Sequence, residues 1–137
     1  MVRVKLDQET LGLSSLMERI TLTRVKDCFQ DNDTIYFVVA PGDLGKAIGK
    51  GGVNVKRVQN ELGKRIKVIE YSDDLSRFIR NIIYPLSIEK ITIQENKVLL
   101  EDQSKKAKSL LIGREGKHLE LINRAIQRFF NVEVVVH

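Results

Sequence analysis

The chain has 137 residues, 42% of them hydrophobic and 30% charged, with a formal net charge of +5. That length holds one domain of ordinary size or two small ones, and the apolar content suits a packed core rather than a disordered tail. No apolar run approaches the roughly 20 residues that span a bilayer, the first residues lack the apolar stretch of a signal peptide, and a lone cysteine, Cys28, gives neither a disulfide framework nor a cysteine-based zinc site; the expectation is a cytoplasmic protein with no membrane association.

In chain order, 8–20 reads as a helix with Leu16, Met17 and Ile20 on its inner face, weakened by Gly12. Strands are expected at 22–29 and 34–40, turned at Asp31-Asn32-Asp33. A short helix at 43–48 stops at Gly49, a second at 53–62 stops at Gly63, and a strand follows at 66–71. Asp74 then caps a helix bearing Leu75, Phe78, Ile79, Ile82 and Ile83, which Pro85 ends. Strands at 88–94 and 97–100 turn at Glu95-Asn96, and a helix at 103–111 stops near Gly113. The last helix, 117–130, carries Leu119, Ile122, Ile126 and Phe129 as its stripe, and 132–136 closes the chain as a strand. Phe78, Phe129 and Phe130 are assigned to the core.

The sequence repeats at an offset of 64. Ile48-Gly49-Lys50-Gly51-Gly52 matches Ile112-Gly113-Arg114-Glu115-Gly116, and the same offset maps Val55 to Leu119, Val58 to Ile122, Leu62 to Ile126 and Asn32 to Asn96. The expected class is therefore α+β. It has two copies, 1–71 and 72–137, each helix–strand–strand–helix–helix–strand, with a three-stranded sheet packed on its helices.

Each copy joins two helices by Gly-x-x-Gly. Glycine takes positive φ and admits a close backbone approach, and the free N–H groups opening the second helix favour an anion. A basic residue inside each loop, Lys50 or Arg114, adds a phosphate contact. The ATP-type phosphate loop is excluded, because Leu44 stands where its first glycine is needed and Gly51 follows Lys50. The dinucleotide motif fails at Asn54. Charge points the same way. Seven basic and two acidic residues lie in 43–67, again seven and two in 103–128, and the remainder carries −5; such clustering is an electrostatic footprint for nucleic acid. His118 is taken as a solvated helix-start residue. No nucleophile–base pair or metal-spaced cluster stands out, so neither catalysis, a cofactor nor a metal is expected.

The two motifs, Ile48-Gly49-Lys50-Gly51-Gly52-Val53-Asn54-Val55 and Ile112-Gly113-Arg114-Glu115-Gly116-Lys117-His118-Leu119, resemble the KH domain, and the element order resembles its type II form. In tandem arrangement and length the chain is similar to the archaeal NusA-like transcription factors. The resemblance implies single-stranded RNA binding in termination or antitermination, with RNA polymerase or a transcription complex as a further partner. It implies RNA contacts from Lys46, Ile48, Gly49, Lys50, Gly51, Gly52, Val53, Lys56, Lys64 and Arg65. In the second copy the contacts come from Lys108, Ile112, Gly113, Arg114, Glu115, Gly116 and Lys117. Bases would lie between the helix after each loop and the last strand, with Gly63-Lys64-Arg65 as the variable loop and a shorter one near Asn131. Glu115 departs from the pattern by placing an acid where a phosphate should pass. Two other readings stand beside this one: an adaptor in ribosome assembly or RNA processing, and a protein-interaction module without RNA binding.

Overall fold

The computed structural model describes residues 8–137; the first seven residues of the expected first copy lie outside them. The described chain divides into two compact units, 8–72 and 73–137. The first contains α1 (Gln8–Thr21), β1 (Val25–Asp31), β2 (Thr34–Val39), α2 (Leu44–Ile48), α3 (Val53–Leu62) and β3 (Arg65–Glu70). The second contains α4 (Leu75–Ile83), β4 (Lys90–Ile93), β5 (Lys97–Glu101), α5 (Lys105–Ile112), α6 (Lys117–Gln127) and β6 (Glu133–Val136). A 3-10 turn, Lys50–Gly52 or Arg114–Gly116, sits between the paired helices of each unit.

Each unit has one three-stranded sheet, ordered β1-β2-β3 or β4-β5-β6. The hairpin strands are antiparallel and the last strand joins parallel to the middle one. A parallel strand needs a crossover, and here the helix–loop–helix segment is that crossover. In the first unit Cys28, Ile35, Phe37 and Val39 pack from the sheet against Met17, Ala47 and Val58. In the second, Val98, Leu100 and Val134 are buried, as are the helical residues Phe78, Ile79, Leu111, Ile122 and Ile126. Phe78 meets Phe129 edge-on at 5.7 Å and Phe130 at 6.1 Å between ring centroids, so all three rings join one aromatic cluster.

The helix starts follow local chemistry. Asp74 caps α4 by accepting the Arg77 N–H at 3.3 Å, and Ser104 caps α5 by accepting the Ala107 N–H at 3.1 Å. Asp43 makes no such cap; its Oδ2 instead accepts the Arg24 N–H at 2.9 Å. Asp102 does the matching task in the second unit, accepting from Glu89 N–H at 3.2 Å and Ser104 N–H at 2.8 Å.

Several expected boundaries move. Leu22 does not begin a strand: it takes φ 58 and its N–H closes on the Glu18 carbonyl at 2.8 Å, ending α1 as a left-handed cap. Ile88 is buried ahead of β4, its carbonyl taken by the Arg80 guanidinium at 3.1 Å. Helix α6 stops at Gln127, not at residue 130; beyond it the Phe129 N–H tightens to an i−3 bond on the Ile126 carbonyl, which the Phe130 N–H shares. The link from α6 to β6 is therefore longer than that from α3 to β3, the reverse of the sequence expectation.

The repeat also slips by one at the hairpins. Arg65 N–H bonds the Asp33 carbonyl and Glu133 N–H bonds the Asn96 carbonyl, so Asn96 answers Asp33 rather than Asn32. The extra residue of the second unit falls between its hairpin and its glycine loop.

Gly12 lies inside α1 with no atom within 4 Å of where a Cβ would stand. Gly12→Ala should therefore raise the unfolding free energy by about 0.5–1 kcal/mol, read from urea denaturation at unchanged m-value.

Candidate nucleic-acid interface

The two glycine loops are nearly the same object. Gly49 has φ 78 and ψ 166, and Gly113 has φ 76 and ψ 175, a region essentially reserved for glycine. The next positions, Gly51 at φ 64 and Glu115 at φ 58, are left-handed, and so are Gly52 at φ 79 and Gly116 at φ 76. Inside the first loop the N–H of Gly49 bonds the Gly45 carbonyl, that of Gly52 the Gly49 carbonyl, and that of Val53 the Lys50 carbonyl. The second loop repeats these bonds with Gly113, Gly116 and Lys117. The N–H groups of Lys50 and Gly51, and of Arg114 and Glu115, lie at the apex outside these bonds.

Around each apex the surroundings are charged and open. Lys50 and Arg114 are exposed, and so are Lys46, Lys56 and Lys117 on the flanking helices. Apolar groups share the surface: Ile48 is 39% exposed, Val53 57% and Ile112 37%. Exposed branched side chains and cations thus share the surface around the loops. Lys64 and Arg65 stand at the far end of α3, about 15 Å along its axis. With Asp33, Gln59 and Gly63 they line a cleft of ≈ 420 Å³.

Other basic residues of the sequence cluster have close neighbours of their own. Lys67 pairs with Tyr36 on the sheet face turned away from α2 and α3. Burial holds its ammonium below the ordinary 10.5. Burial raises the Tyr36 phenol above its ordinary 10.0, and Asp31 adds to that. The Lys64 ammonium donates to Gln30 Oε1 at 2.7 Å, and Gln30 in turn donates to Glu9 Oε1 at 2.6 Å. Lys108 is half-buried and faces a cleft of ≈ 470 Å³ lined also by Glu89, Glu101 and Asp102. Lys26 lies 4.6 Å from the Tyr71 ring centroid, a cation–π contact.

Sequence reasoning passed over two pairs of polar side chains. Asn54 and His118, each second in the helix after a loop, reach back to carbonyls of the preceding helix; His118 is half-buried, not a solvated helix-start residue. Gln59 and Asn123 hold the last strands, Gln59 Oε1 accepting the Ile66 N–H at 3.3 Å and Asn123 Oδ1 the Val134 N–H at 2.7 Å. Both pairs recur at the repeat offset of 64, which is the signal that could have found them. Among the described residues no three His, Cys, Asp or Glu gather as metal ligands, and no helix is long and apolar enough to cross a membrane.

The KH domain family matches residues 14–98, which run from within α1 through the first loop and into the second hairpin. The probable transcription termination protein NusA of Methanococcus vannielii is 38% identical over 87% of this chain and 70% of its own length. That of Halococcus morrhuae is 31% identical over 96% of both chains. The chain belongs to the KH-domain family, among its NusA-like members. A solved structure described as the crystal structure of APE1850 aligns with a TM-score of 0.81 at 32% identity, covering 96% of this chain and all of that one. The NusA of Rickettsia prowazekii, a transcription termination/antitermination protein, is 34% identical over 59% of this chain but only 17% of itself. The NusA-like relationship thus extends along most of the chain, beyond the glycine motifs.

Glu115 is the one non-glycine residue in this NusA-like pair of loops that holds a left-handed conformation, which costs about 1–2 kcal/mol for an L side chain. Glu115→Gly relieves that strain and adds back about 0.4–1 kcal/mol of unfolded-state entropy. The variant should be more stable by about 0.5–1 kcal/mol, measured by thermal unfolding.

Proposed function

We propose that this chain is a non-catalytic, single-stranded RNA-binding factor of transcription termination and antitermination, acting in the cytoplasm through two type II KH domains, 1–71 and 72–137. RNA is its direct partner, and RNA polymerase or a transcription complex is the assembly on which it acts. The observation that carries this reading is the same Gly-x-x-Gly geometry in both units, each with an exposed basic side chain at its apex. The names of the archaeal relatives support the transcriptional role.

The mechanism is electrostatic and steric. The RNA backbone crosses each loop, its phosphates facing the apex N–H groups, the positive end of α3 or α6, and Lys50 or Arg114. KH loops clamp about four nucleotides in this way. Ile48, Val53 and Ile112 offer apolar walls to the bases, while Lys46, Lys56 and Lys117 flank the strand. Lys64 and Arg65 meet the strand at the far end of α3. The acid of Glu115 weakens the second site: at about 4 Å from a phosphate it costs on the order of 1 kcal/mol in water.

Four measurements test this. Changing both Lys50 and Gly51 to Asp should abolish binding at the first loop, because two acids then replace a cation beside the phosphate. Circular dichroism should stay native, since both positions are exposed. A folded double variant with full affinity for single-stranded RNA sinks the assignment. Affinity should also fall with salt at a log–log slope of about −3 or steeper for four or more neutralised phosphates, and duplex RNA of the same sequence should bind far less. Co-purification of ribosomal subunits in place of polymerase from native extract would favour the ribosome-assembly adaptor.

A further inference from the structure

Two half-buried side chains reach from the helix after each loop back to the helix before it. Asn54 donates its Nδ2–H to the Lys46 carbonyl at 2.7 Å. His118 stands at the same helix position in the other unit, with Nδ1 2.9 Å from the Leu111 carbonyl. A carbonyl only accepts, so Nδ1 is the nitrogen that carries the proton here. Both carbonyls lie among the last four of their helix, which have no partner further along it. An amide in one unit and an imidazole in the other thus perform one task.

The glycines open the space for it. A Cβ on Gly49 would stand 2.9 Å from Asn54 Cγ and 2.9 Å from its backbone nitrogen. A Cβ on Gly113 would stand 2.6 Å from His118 Cβ. Backbone approach and side-chain bond therefore come as a pair: the first glycine of each loop leaves room for the side chain that ties the loop down.

We infer that Asn54 and His118 are positioning residues that brace the two glycine loops, holding the apex N–H groups in place before RNA arrives. The inference rests on the reading of those loops as phosphate sites. A braced loop has already lost the freedom that binding would otherwise remove, which strengthens association without any contact to the ligand. The imidazole can serve in either charge state, because the Nδ1–H donor is present in the imidazolium as well as in the neutral tautomer.

The test uses the full chain, a single-stranded oligouridine RNA long enough to reach both loops, and three substitutions. Asn54→Leu keeps similar volume and removes the donor. Asn54→Asp turns a carboxylate onto the Lys46 carbonyl. Asn54→His installs the donor of the other unit. Leu and Asp should weaken binding about three- to tenfold, the worth of one net hydrogen bond, while His restores most of it. In the RNA-free protein, amide hydrogen exchange across 49–53 should accelerate in the Leu and Asp variants and stay slow in the His variant, with native circular dichroism throughout. Wild-type affinity in a folded Asn54→Leu chain overturns the inference, whether or not its exchange accelerates. So does lost affinity with unchanged exchange, which would mark Asn54 as an RNA contact instead. Should the wild type itself fail to bind the RNA, the phosphate reading of the loops falls. The exchange data then still decide the brace: acceleration upholds it and unchanged exchange removes it.

Discussion

At Gly49 and Gly113 the backbone adopts a combination of φ and ψ that side chains with a Cβ do not tolerate. The reversal it produces sends α3 and α6 back from their partner helices closely enough for residues 54 and 118 to press against the glycine Cα. With the reversal fixed, the 3-10 turn that carries the apex amides leads directly into the positive end of the second helix. Lys50 and Arg114 then need only be exposed, and they are. The same chain reversal returns the backbone to the sheet on the side where the last strand joins in parallel. The interface and the topology thus share one local constraint.

The far end of each helix pair is secured separately. In the first unit the Gln59 amide satisfies the Ile66 N–H on β3, and in the second the Asn123 amide satisfies the Val134 N–H on β6. Asn123 also donates to the Val134 carbonyl at 2.9 Å, so one side chain serves both polar groups of that residue. Each last strand pairs on one side only, and a helix-borne amide occupies part of its other side. The helix after the loop is therefore fixed at both ends, by the loop itself and by a strand.

The glycine reversals, the helical stripes and the doubled element order were legible in the sequence because each depends on local spacing. Val58 and Ile122 are buried where the offset of 64 put them, and Asp74 caps α4 as its position suggested. What escaped depends on tertiary choices between competing partners. Asp43 could have capped α2, but the N–H of Arg24, just ahead of β1, takes its carboxylate. Helix α6 was expected to run on to Phe130, but it ends where Phe129 and Phe130 pack on Phe78. Lys67 looked like one more surface cation; strand alternation, which turns every second residue away from the helices, put it on the other face of the sheet. At the candidate interface the apex residues were evident from the motif. The role of Asn54 and His118 was not, since a polar residue early in a helix usually points into water.

Because the helix–loop–helix segment is the crossover to a parallel strand, each loop lies between the two strands whose pairing closes its unit. The pairing of Thr34 with Arg65 and of Val39 with Glu70 spans the whole segment that contains Gly49. Contacts so distant along the chain form late, since loop closure must precede their reward. During synthesis, the sheet onto which the first loop's helix pair packs is therefore completed only after β3 has left the ribosome. From then on residues 8–72 hold every described strand and helix of their unit, so one binding surface can mature while the other half of the polypeptide is still being made.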